Sequence, residues 1–198
     1  MKLLLEPNLL SYSDEAYEAD LKLLPSQRYS AAMRYRFTED RKRCVKAYML
    51  LWRGLREDYG WEDAPVFSFG PRGKPYLASA PEIHFSLSHT GNAVLCALDS
   101  NPIGADIEMT RPRDLTYLLS VFSEQEKTSI LRAERPEERT MELWTRKESY
   151  LKMLGQGLVG TKALKDVPTE DTATVCFETT VRKEEGFLYS VCRQKTAV

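Results

Sequence analysis

A long helical segment followed by strand-like runs occurs twice in this chain, about one hundred residues apart, and that order limits the folds open to it. Residues 39–59, EDRKRCVKAYMLLWRGLREDY, contain no Gly or Pro before Gly54. Cys44, Tyr48, Leu51 and Leu55 fall at helical spacing, which predicts one buried face and one basic face. Next, PVFSFGPRGKPYL reads as strand, tight loop, strand, and HFSLSHTGNAVLCALDS as two strands broken at Thr90, Gly91 and Asn92. PIGADIEM, 102–109, alternates as a third strand, with Asn101 and Pro102 as the hairpin connection. In the second half MELWTRKESYLKMLG, 141–155, reads as helix ended by Gly155, and TATVCFETTVRK and GFLYSVCRQ alternate as antiparallel strands. A duplicated α+β unit and two unrelated α+β segments both satisfy this order.

Shorter signals fill in the rest. MKLLLEP reads as an edge strand, because Glu6 and Pro7 end its apolar run far short of a secretory signal. Ser13 opens a helix running to about Leu24, before Pro25. Basic and proline residues Arg111, Pro112 and Arg113 precede a helix from about Leu115, and Ser123 with Glu126 forms a capping box for the next one.

A chain of 198 residues makes one good-sized domain or two small ones packed together. Its net charge of -1 gives no electrostatic reason to expect nucleic acid, and no apolar run approaches membrane-spanning length. The four cysteines, Cys44, Cys96, Cys176 and Cys192, form no CxxC or Cys/His cluster, which argues against zinc or a disulfide framework and for reduced, mostly core residues, and the lack of a secretory signal in MKLLLEP predicts the cytoplasm. One window, residues 28–46, is strongly basic; it reads either as a solvated helix face or as an anion site.

The alternation in PIGADIEM directs Asp106 and Glu108 to one face of a half-buried strand, where like charges repel. Two acids on a surface strand need no special explanation. Trp144, Glu148 and Lys152, at i, i+4 and i+8, share one helix stripe, although Glu148 and Lys152 alone would be an ordinary exposed pair worth a few tenths of a kcal/mol.

Taken in chain order, RGKPYL, FSLSHTG, IGADIEM and WTRKESYLK resemble the motifs of the 4'-phosphopantetheinyl transferases, in the longer, pseudodimeric form that serves peptide and polyketide synthetases. The resemblance implies two similar α+β halves, 1–101 and 102–198, related by a pseudo-twofold axis with the site between them. It also implies a Mg2+-dependent transfer of the phosphopantetheine arm of coenzyme A to a serine of an apo acyl, peptidyl or aryl carrier protein, releasing adenosine 3',5'-bisphosphate. Asp106, Glu108 and Glu148 would hold the metal. Such a trio is tolerable beside a cation, and magnesium is normally held by a few carboxylates completed by substrate phosphate and water. By the same resemblance Asp106, Glu148 and Lys152 are catalytic, Glu148 being the base for the serine proton and Lys152 a support for phosphate charge. Arg28, Arg43, Lys74, Ser88, His89 and Lys152 would contact coenzyme A, with the two arginines directed at its 3'-phosphate.

Some positions depart from the family pattern: Cys44 stands where many relatives carry a hydroxyl, Ala31 where some carry lysine, and Thr90 replaces the usual Ser. Trp144 reads as a packing anchor, and Lys147 faces away from the Glu148 stripe. Leu118, Leu119, Val121 and Phe122 read either as core or as an apolar surface for an acidic carrier-protein helix. A duplicated chain has no need to trimerise, so a monomer is expected. Two other functions remain: a different magnesium-dependent nucleotide or pyrophosphate-processing enzyme, and a non-catalytic module that binds carrier proteins.

Overall fold

Leucines alternate through the first strand, β1 (Lys2–Glu6), and direct Leu4 to one side and Leu3 and Leu5 to the other. After a 3-10 turn at Leu9–Ser11, Ser13 caps α1 (Asp14–Lys22) through the backbone N–H of Ala16. Helix α2 (Ser26–Met33), which overlaps the start of the basic window, precedes the long α3 (Thr38–Tyr59). Strands β2 (Ser68–Phe69) and β3 (Pro75–Tyr76) are brief; β4 (His84–Thr90), β5 (Ala93–Asp99) and β6 (Ile103–Met109) follow. Then come α4 (Leu115–Val121), α5 (Glu124–Arg132), α6 (Pro136–Leu154), the short α7 (Thr161–Leu164), β7 (Val175–Arg182) and β8 (Phe187–Gln194). This computed structural model describes residues 1–111, 115–157 and 161–196; Pro112 and Arg113 lie outside them. Among the described residues no helix is long and apolar enough to cross a membrane.

The fold is α+β, with two three-stranded antiparallel sheets ordered β1-β5-β4 and β6-β8-β7, beside a two-stranded β2-β3 ribbon. Each larger sheet is built the same way. Its first strand precedes a long helix, a hairpin follows, and the last strand lies in the middle. The expected hairpin between β5 and β6 does not form. Both edges of β5 are taken, by β1 and β4, so β6 founds the second sheet and pairs with β8.

The sheets meet face to face through Ala93, Leu95 and Ala97 on one side and Ile103, Ala105, Ile107, Phe187 and Val191 on the other. Their outer faces carry the long helices: α3 packs on the first sheet, with Tyr48, Leu51 and Leu55 fully buried, and α6 covers β6 and β8. This corrects the expectation of a half-buried acidic strand. Asp106 is only 5 % exposed, because the face of β6 that carries it lies under α6.

Gly104 makes that cover possible. A Cβ at this position would fall 1.9 Å from the Ser149 carbonyl oxygen and 2.3 Å from the Met153 nitrogen, both backbone atoms of α6. Backbone cannot swing aside as a side chain can, so Gly104→Ala should cost about 3 kcal/mol or more in a denaturant melt. A wild-type midpoint and slope for that variant would contradict this packing.

Candidate active site

Where the two sheets meet, β4 and β6 run parallel, and hydroxyl side chains of β4 take up backbone groups of β6. Ser86 Oγ accepts from the Ala105 N–H (2.9 Å) and donates to the Ala105 carbonyl (3.4 Å); Ser88 Oγ accepts from the Ile107 N–H (3.3 Å). Thr90 Oγ1 donates to Glu108 Oε2 at 2.9 Å. Alternate residues of FSLSHTG thereby fasten one sheet to the other.

Ser88 does more than bridge backbone. Its hydroxyl donates to Asp106 Oδ1 (2.8 Å) and accepts from Lys152 Nζ (2.9 Å), which uses its single proton and, with the Ile107 N–H, both lone pairs. Lys152 Nζ also donates to Asp106 Oδ1 at 2.6 Å. Residues from β4, β6 and α6 therefore converge on one carboxylate oxygen. The rotation of α6 is also fixed by Thr145, two turns before Lys152, whose hydroxyl lies 2.7 Å from that of Ser190 on β8.

The remaining oxygens tell the rest. Asp106 Oδ2 and Glu148 Oε1 are both buried without a hydrogen-bond partner. Burial, then the negative charge of Asp106, pushes the Glu148 carboxyl up to about 7; nearby Lys152 opposes the shift and Glu108 adds to it. Asp106, Glu108 and Glu148 border one cleft of about 340 Å³, together with His89, Trp144 and Lys152. A second cavity of about 270 Å³ lies beyond Glu148 and Lys152, which line both spaces; Arg72, Lys74 and Phe85 form part of its other walls. Among the described residues no three of His, Cys, Asp and Glu are gathered into a ready-made metal cage. The two orphaned oxygens nevertheless suit a hard cation, since magnesium sites are commonly completed by substrate phosphate and water.

Basic side chains continue from this cleft toward the start of α3. His89 is held below its ordinary value by burial, then by Arg43 and Lys152, so it favours the neutral ring. Arg43 donates to the Gly91 carbonyl at 2.6 Å and pairs with Asp40. Arg28 donates to Cys44 Sγ at 3.3 Å and stacks over the Phe67 ring, 4.9 Å from its centroid, with its Nε buried and unpartnered. Lys74 stands apart: its ammonium donates to the carbonyls of Met153 (2.8 Å) and Ile103 (3.1 Å).

Several features went unread in the sequence. Lys147 is wholly buried, donates to the carbonyls of Leu164 and Val167, and pairs with Glu126 Oε1 at 2.8 Å, so it ties α5 and α7 to α6. Its place off the Glu148 stripe was legible; its partners, 17 to 21 residues away in sequence, were not. Glu126 also closes the capping box with Ser123 and accepts from Thr169. Trp144 borders the cleft and meets Tyr117 edge-on at 6.1 Å, in addition to packing on the core. Of the two readings of the apolar run at 118–122, core holds: Leu118, Val121 and Phe122 are buried around α6, and Tyr117 is the large exposed side chain of α4 among the described residues.

Residues 102–195 match the family profile of the 4'-phosphopantetheinyl transferase superfamily. A Bacillus subtilis 4'-phosphopantetheinyl transferase is 34% identical over 174 residues, covering 80% of this chain and 77% of its own length. The chain belongs to the 4'-phosphopantetheinyl transferase superfamily. It is an enzyme of that class. The Bacillus pumilus transferase psf-1 is 32% identical over 184 residues (86% of this chain, 79% of its own), and Sfp of Bacillus subtilis (strain 168) is 28% identical over 193 residues (91% and 86%). In this transferase the profile match covers β6 and α6, which carry Asp106, Glu108, Glu148 and Lys152, while the longer alignments also take in β4.

The electrostatics of Glu148 make a prediction for the transferase in chelator. A carboxyl raised from an ordinary 4.5 to about 7 keeps its proton in the folded state after the unfolded chain has lost it, so its contribution is full at low pH and lost as pH rises through about 7. Relative to Glu148→Gln, which cannot ionise, wild type should lose about 2 kcal/mol of unfolding free energy between pH 5 and pH 8. Parallel stability profiles for the two proteins would contradict the burial of an unpaired carboxyl here.

Proposed function

We propose that this transferase moves the 4'-phosphopantetheine arm of coenzyme A to a serine hydroxyl of an apo acyl or peptidyl carrier protein and releases adenosine 3',5'-bisphosphate. The observation that carries this reading is the pair of buried, unpartnered oxygens, Asp106 Oδ2 and Glu148 Oε1, beside the ammonium of Lys152. Such an arrangement suits a substrate that brings both phosphate oxygens and a cation. Asp106, Glu108 and Glu148 would hold Mg2+, which when bound supplies positive charge that makes the pyrophosphate a better electrophile and the bisphosphate a better leaving group.

The chain's own groups do the rest. Lys152, already 2.6 Å from Asp106 Oδ1, supports the charge that builds on phosphate oxygens as the P–O bond to the leaving bisphosphate breaks. Glu148, which borders the same cleft as Asp106 and Lys152, accepts the serine proton directly or through a water. Ser88 fixes the Asp106 carboxylate and, with Lys152, borders the path of the pyrophosphate. His89, Arg43 and Arg28 serve the nucleotide phosphates; the neutral imidazole acts as a hydrogen-bond partner and the guanidinium groups as the charges. Cys44, bonded to Arg28, takes the position of a hydroxyl in many relatives and contributes orientation of that arginine in place of a phosphate contact.

The same reading assigns residues 1–101 and 102–198 as two halves related by a pseudo-twofold axis, with the substrate between them. Their shared strand order supports it. It also assigns a cytoplasmic monomer, which should elute from a sizing column near 22.7 kDa.

An intact-mass assay tests the reaction. With coenzyme A and magnesium, an apo carrier protein should gain one phosphopantetheine arm; chelator should abolish the gain, and Glu148→Gln or Lys152→Ala should slow it by about a hundredfold or more. Consumption of coenzyme A without a mass gain would favour a hydrolase, and coenzyme A binding with no turnover on a broad carrier panel would favour a binding module.

A further inference from the structure

The Gly-Lys-Pro turn does something that a phosphate-binding role does not account for. It is closed by bonds from the Gly73 N–H to the Gly70 carbonyl and from the Gly70 N–H to the Lys74 carbonyl, each 2.9 Å. Gly73 takes a φ of +83°, which suits glycine. From this rigid turn in the first half of the chain, two cations reach the end of α6 in the second. Lys74 Nζ donates to the Met153 carbonyl at 2.8 Å, and Arg72 Nη1 to the Gln156 carbonyl at 3.2 Å.

A helix leaves its last carbonyls without partners from its own ladder. At the end of α6, the Gly155 N–H serves Leu151 and Lys152 and the Gln156 N–H serves Leu151 again, so Lys74 supplies the bond to Met153. A cation there also meets the negative end of the helix dipole. The same ammonium donates to the Ile103 carbonyl, at the start of β6. Met153 directly follows Lys152, and Ile103 lies three residues before Asp106. One side chain therefore joins the ends of the two elements whose Lys152 and Asp106 meet at 2.6 Å. The lysine stem runs alongside Gly155, where a Cβ would lie 3.1 Å from it. Desolvation lowers the ammonium to about 8, in keeping with a group half enclosed among carbonyls.

We propose that Lys74 is a positioning residue that clamps α6 to β6 from the other half of the chain and sustains turnover by holding Lys152 against Asp106, not by binding a phosphate of coenzyme A. The catalytic part of this statement rests on the function proposed above. The clamp itself does not, and the experiment keeps the two apart.

Three full-length variants, Lys74→Met, Lys74→Gln and Lys74→Arg, are compared by hydrogen exchange without substrate and by steady-state transfer kinetics. In Lys74→Met the amides of residues 152–156 should exchange about tenfold faster or more. Its kcat should fall about tenfold, while KM for coenzyme A stays within about twofold and the preference for coenzyme A over 3'-dephospho-coenzyme A is unchanged. Lys74→Arg, which keeps its donors, should recover most of the exchange protection and much of kcat. Lys74→Gln, with donors but no charge, serves where the methionine variant fails to fold. Unchanged exchange at the end of α6 overturns the clamp whether or not any carrier protein is modified. A tenfold rise in KM at unchanged kcat, or loss of the preference for the 3'-phosphate, overturns the positioning role and returns Lys74 to the substrate contacts.

Discussion

Helix α6 rests directly on the backbone of β6 at Gly104, and the geometry of the site depends on that contact. A side chain there would hold the helix off the sheet. Without one, Ser149 and Met153 lie against the strand, and the helix stripe carrying Glu148 and Lys152 passes over Asp106, two residues along the same face. Thr145 and Ser190 set the rotation of the helix, and Lys74 grips its end. Steric absence at one position, with hydroxyl and ammonium bonds at others, turns two ordinary elements into one constellation.

The constellation is electrostatically incomplete by itself. Lys152 and Ser88 satisfy Asp106 Oδ1, yet Asp106 Oδ2 and Glu148 Oε1 have no donor, and Glu148 responds by holding its proton near neutrality. Stability is given up to keep these groups desolvated and close together. A binding partner that carries positive charge into the cleft would relieve all of it at once, which is why we propose these acids as a seat for a cation.

Much of this was legible in the sequence, because the signals were local. Alternation in IGADIEM and the i, i+4, i+8 spacing of Trp144, Glu148 and Lys152 put the right side chains on the right faces. The capping box at Ser123 and the stop at Gly155 formed as expected, the latter in the left-handed region at φ +66°. What stayed hidden was non-local. That β6 leaves the first sheet follows from β1 occupying the far edge of β5, a pairing ninety residues apart in sequence that no local pattern encodes. Lys147 shows the same limit: its helix position was plain, whereas its carbonyl partners near α7 come from the tertiary path. The apolar run in α4 reads from sequence as core for most of its residues, with a docking surface as the alternative; most of it is core, since α6 offers a large partner for it.

Anomalous diffraction from crystals grown with coenzyme A and manganese in place of magnesium would locate a cation between these carboxylates. A metal peak in contact with Asp106 Oδ2 and Glu148 Oε1 is expected, with the pyrophosphate completing its coordination and Lys152 on the phosphate side. A peak elsewhere, or a pyrophosphate bound with both oxygens still uncoordinated and Glu148 turned away, would contradict it.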